Sequence, residues 1–91
     1  MKVKSIAANQ TEITIDGCRV LVSYETPVAC TINGKVLKTS TKWSRTTTRH
    51  INAWANPIAK MCGVPVEEKP QEFFDELLTA RQIIAGINPA V

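Results

Sequence analysis

The chain has 91 residues, 44% of them hydrophobic, and a formal charge of +3. That length suits one domain, 1–91, able to bury roughly 60–68% of the surface its unfolded form exposes, and no run approaches the ~20 apolar residues of a membrane span. The first residues, MKVKSIAANQTE, carry charge but no apolar stretch, which argues against a secretory signal.

Met1 to Ala8 offers a short edge strand through Val3 and Ile6. TEITID then alternates, with Ile13 and Ile15 on one side and Glu12, Thr14 and Asp16 on the other. Asp16-Gly17 suits a two-residue hairpin turn, which needs positive φ at both positions. CRVLVSYE returns with Cys18, Val20, Val22 and Tyr24 on one face, and Ile13 and Ile15 fall opposite Val20 and Cys18. Thr26-Pro27 interrupts the strand pattern. Val28, Cys30 and Ile32 alternate again, Asn33-Gly34 gives a second hairpin signal, and KVLKTS places Leu37 opposite Cys30. Residues 11–40 thus read as a four-stranded antiparallel meander with one apolar face, and the helix after Ser44 is the nearest cover.

The pattern changes in KWSRTTTRHINAW, residues 42–54, which holds both tryptophans and the only histidine. Ile51, Trp54, Ala55, Ile58 and Cys62 recur at steps of three and four, predicting a helix over about 46–62 with Ser44, Thr46 and Thr47 as N-cap candidates. Pro57 removes an N–H inside that run, so the helix either kinks there or ends near Ala55 with a second short turn from Pro57. Gly63 is a natural stop. GVPVEEKP, 63–70, reads as a proline-bracketed linker. Phe73, Phe74, Leu77, Leu78, Arg81 and Ile84, with Ile83 beside them, then form the stripe of a second helix over about 70–85. Glu72, Asp75 and Glu76 sit in its first turns, Gly86 closes it and INPAV is a tail. The fold class is α+β: the meander packed by one or two C-terminal helices.

Charge is segregated along this order. Residues 1–25 are neutral overall; residues 26–66 carry Lys35, Lys38, Lys42, Arg45, Arg49 and Lys60 with no acid, a charge of +6. Residues 67–91 sum to −3, since Glu67, Glu68, Glu72, Asp75 and Glu76 outnumber Lys69 and Arg81. The hydroxyls and Asn52 that interleave the basic residues suit phosphate contacts, and a helix start in their midst favours anions. Trp43 either plugs the sheet, the preferred reading, or stacks on a base; Trp54 belongs to the core. Cys18, Cys30 and Cys62 are widely spaced with no CxxC pair, so they read as small buried hydrophobes in a reducing cytoplasm. His50 has no ligand-spaced partner for a metal site and reads as a hydrogen-bonded residue near the helix start, ahead of a contact or catalytic role. No Gly-rich phosphate loop or paired carboxylates appear at the basic centre.

Ser23, Tyr24, Thr26, Pro27, Val28 and Ala29, and then Ser44, Thr46, Thr47, Arg49, His50, Ile51, Asn52 and Trp54, carry a resemblance to small phage and prophage proteins of unknown function. These share a Ser-Tyr-x-Thr-Pro-Val-Ala segment, a lysine-rich return and a Ser-x-Thr-Thr-x-Arg-His-Ile-Asn-x-Trp block. The resemblance covers roughly residues 11–55 and leaves the acidic C-terminal helix outside. It implies a phage-encoded protein of the bacterial host cytoplasm and brings no activity or functional residues.

The sequence therefore reads as a binding protein, not an enzyme, with no cofactor, metal or small-molecule substrate. The first expectation is a phage accessory or regulatory protein that binds DNA or RNA through Lys35, Lys38, Lys42, Trp43, Arg45, Thr47, Arg49, His50 and Asn52. The alternative is a protein–protein module that inhibits or redirects a host factor through Phe73, Phe74, Asp75 and Glu76.

Overall fold

The computed structural model describes residues 2–15 and 17–84, with side-chain environments up to residue 77. Asp16, Gly86 and the tail lie outside the described residues, as do the side chains of Leu78, Arg81, Ile83 and Ile84. The fold is α+β. Six strands, β1 (Lys2–Ala7), β2 (Gln10–Ile15), β3 (Cys18–Ser23), β4 (Thr26–Ile32), β5 (Lys35–Thr39) and β6 (Val66–Lys69), lie side by side in chain order, with α1 (Arg45–Cys62) before β6 and α2 (Gln71–Ile84) after it. All neighbours are antiparallel except β5 and β6, whose parallel pairing needs the crossover that α1 supplies.

The sheet has two more strands than the 11–40 meander. β1 pairs with β2 along the Val3 to Ile13 register. β6 occupies the segment that composition marks as a linker; its backbone pairs with β5 while Glu67, Glu68 and Lys69 stay exposed, so no apolar alternation announces it.

Both faces are covered, not one. On the first, Leu21, Val28, Ala29 and Val36 pack under Ile51, Trp54, Ala55 and Ala59 of α1. On the second, Cys18, Val20, Val22, Cys30 and Leu37 surround Phe74 of α2. The alternating apolar set seen in the sequence is therefore the face of α2, and α1 covers the opposite one. A bulge in β4 accounts for the other departure: Leu21 faces Ala29 and Val22 faces Pro27, which leaves Val28 as the extra residue. Val28 and Ala29 consequently both pack towards α1, while Cys30 keeps the α2 side. Pro27 sits at the bulge, where a missing N–H is tolerated.

The turns explain the register. Asn33 and Gly34 have φ of +51° and +75°, the geometry of a two-residue type I′ turn. Gly34→Val should cost on the order of 1–3 kcal/mol, because a β-branched residue is forced into the left-handed region. A Cβ there would meet nothing within 4 Å, so the loss is backbone strain alone; an unchanged denaturation midpoint would mean that the turn can relax. β3 stops one residue before the sequence pattern suggests: Tyr24 lies in the turn, not the strand, at φ +57°.

α1 runs unbroken through Pro57, whose exposed ring leaves the carbonyl four residues back on the solvent side. Ser44, the first of the three candidates, is its N-cap, accepting from the N–H of Thr47. Gly63 closes it at φ +67°, with its N–H bonded to the Lys60 carbonyl and that of Val64 to Ala59, the Schellman pattern. No helix of the described residues is long and apolar enough to cross a membrane.

Candidate nucleic-acid interface

Strand directions decide what gathers where. The turn at residues 24–25, the loop at 40–44 and the first turns of both helices share one end of the sheet, because β3 and β5 run towards it and β6 runs parallel to β5. Backbone bonds tie this end together: Tyr24 N–H to Asn9 O at 2.8 Å, and Ser40 N–H to Lys69 O at 2.8 Å.

Gln71 is its junction. Its Oε1 accepts from Thr39 Oγ1 at 2.8 Å and from Trp43 Nε1 at 3.1 Å. Its Nε2 donates to the Pro27 carbonyl at 2.8 Å and to Asp75 Oδ1 at 3.0 Å. Both lone pairs and both N–H bonds of the amide are used, and the chemistry of the partners fixes which atom is which. No sequence signal marks this residue, since its partners lie up to 44 positions away.

The start of α1 carries a second polar set. Ser23, buried in β3, bonds His50 Nδ1 at 2.8 Å and Thr47 Oγ1 at 3.2 Å. Ser44 Oγ donates to Thr47 Oγ1 at 3.3 Å. Thr47 is buried and leaves the list of phosphate contacts. His50 is half-buried, as a hydrogen-bonded residue near the helix start, with its ring 5.9 Å from that of Tyr24.

The basic residues divide. At about 100° per residue, Arg45, Arg49, Asn52, Asn56 and Lys60 fall in a sector roughly 80° wide on the outer side of α1, and all five are exposed. Lys42 adds a charge at the head of this stripe. Asn56 and Lys60 were not among the expected contacts, although the same helical spacing that places Arg45 and Arg49 would have found them. A cavity of about 200 Å³ beside the stripe is lined by Lys38, Ser40, Thr41, Lys42, Thr48 and Asn52, and also by Glu68. Lys38 reaches Glu68 at 4.0 Å, so part of its charge is matched. Lys35 does not join them. It lies three residues, roughly 10 Å, along β5 from Lys38, beside a smaller cavity of about 190 Å³ shared with Arg19 and, at the far end of α1, Ile58 and Cys62.

The aromatic residues also need correction. Trp43 does not plug the sheet: it is 46% exposed, held by its N–H. Trp54 is core, and its Nε1 donates to Glu12 at 2.9 Å, a carboxylate that also lies 3.8 Å from Arg19. Phe74 is fully buried and Phe73 half-buried against it, whereas Asp75 and Glu76 are exposed. Cys18 and Cys30 are buried, but Cys62 is exposed at the end of α1. Among the described residues no group of three His, Cys, Asp or Glu could hold a metal ion.

One family model, described as a family of unknown function (DUF8033), matches residues 1–76. The match reaches both ends beyond the 11–55 resemblance and takes in the acidic first turn of α2. No curated protein and no solved structure matches the chain.

Proposed function

We propose a function from the geometry, on the premise that the chain belongs to a family of unknown function (DUF8033) and takes no activity from it: a small phage-encoded accessory or regulatory protein that binds nucleic acid. The observation that carries this reading is the outer stripe of α1, where Arg45, Arg49 and Lys60 alternate with Asn52 and Asn56 and no carboxylate occurs in the helix. Lys42 and the hydroxyl-lined cavity extend it at one end. Arg19 and Lys38 each lie within 4 Å of a carboxylate, whereas α1 itself carries no acid, so the stripe is left to attract a polyanion. The rival reading, a host factor docked on α2, keeps only the exposed acids Glu72, Asp75 and Glu76, because its phenylalanines are taken up in packing.

Counterion release gives the test. With Lys42, Arg45, Arg49 and Lys60 on phosphates, log K should fall with log salt with a slope of roughly −3 to −4. Arg45→Gln with Arg49→Gln should flatten that slope by one to two and leave stability within about 0.5 kcal/mol, since both side chains are exposed. Fluorescence anisotropy across a salt series measures both. Absence of binding even at low salt would end the nucleic-acid reading, and a nuclease-insensitive host protein captured in stoichiometric amount would put the rival first.

A further inference from the structure

The two exposed aromatic rings of the described residues, Tyr24 and Trp43, both lie at the end of the sheet where the helices begin. Each is held in place. The Trp43 N–H is fixed on Gln71, an amide itself anchored by three other bonds. Tyr24 is held by its backbone bond to Asn9 and by the ring of His50, tilted 34° to its own.

Tyr24 is also the wrong residue for its turn. At φ +57° it occupies the left-handed region, where the turns at Asn9 and Asn33 use a residue suited to it. Folding does not call for a tyrosine there, and strain of this kind collects at functional positions. Duplex bases are already stacked on one another, whereas the faces of single-stranded bases are available to aromatic side chains.

From these observations we infer that the nucleic acid is single-stranded, with bases stacked on Trp43 and Tyr24 and its backbone running past Lys42 and Arg45. This rests on the nucleic-acid reading above and narrows it.

The test is a titration of the full chain with oligothymidine, oligouridine and a DNA hairpin duplex of matched phosphate number, followed by tryptophan emission and anisotropy. Because Trp54 is buried, quenching reports on Trp43. Single strands should quench the emission and bind at least 10-fold more tightly than the hairpin; the first two ligands separate DNA from RNA. Tyr24→Gly should weaken single-strand binding about 5- to 150-fold, the range for loss of one stacked base, while its denaturation midpoint stays level or rises as the strain is released. Equal or tighter binding of the hairpin, unquenched emission, or a Tyr24→Gly variant that binds like the parent would overturn the single-strand inference and leave nucleic-acid binding standing. No binding of any of the three at low salt would sink both.

Discussion

Phe74→Ala should cost about 3–5 kcal/mol, the usual range for emptying a buried phenylalanine site. The ring is fully buried in one cluster with residues of three strands: Cys18, Val20 and Val22 of β3, Cys30 of β4 and Leu37 of β5. Without it, α2 would lose its one fully buried side chain and keep the half-buried Phe73 and Leu77 and the bonds of Gln71 to hold it on the sheet. Native domains are stable by only about 5–15 kcal/mol, so the variant should be marginally folded, with a much lower urea midpoint. A loss below about 1 kcal/mol would show that α2 is not the cover of that face.

Gln71→Leu should cost about 2–4 kcal/mol, although it keeps a similar volume and adds apolar surface. The amide joins the bulge of β4, the end of β5, the 40–44 loop and the first turn of α2. Each bond contributes about 0.5–1.5 kcal/mol net, and an acceptor left unsatisfied away from water costs about 1–3; the Pro27 carbonyl is part-buried. Gln71→Glu separates the roles. A carboxylate still accepts from Thr39 and Trp43, but it has no N–H for Pro27 and lies beside Asp75, so it should be no better tolerated than leucine. Urea denaturation monitored by tryptophan emission checks both variants, and unchanged midpoints would mean that the junction is incidental to stability.

Much of the sheet was legible because its devices are local. Asn33-Gly34 announces positive φ at two successive positions, and the steps from Ile51 to Ala59 announce the buried side of α1. Val20-Leu21-Val22 carried a further signal: neighbouring strand residues point to opposite faces, so an unbroken apolar run requires cover on both. Reading only alternate residues concealed the second face, and the β4 bulge then shifted Val28 from one side to the other. β6 was illegible for a different reason. It is held through backbone pairing with β5, and VEEK carries almost no burial pattern. Of the candidate site, the helical stripe could be read from spacing, whereas the exposure of Trp43 depends on a bond to Gln71, 28 residues away.

Among the described residues, β1 and β6 form the two margins of the sheet, and their residues bear on self-association. β1 carries Lys2 and Lys4, and its pairing with β2 is irregular between Ser5 and Ala7. β6 is four residues long and exposes Glu67, Glu68 and Lys69. Short length, a local irregularity and charge are the means by which native sheets discourage strand addition from another molecule. A second copy joining β1 to β1 would crowd lysines, and one joining β6 to β6 would crowd glutamates. The two segments that contribute least to the packed interior thus carry the features that discourage such growth.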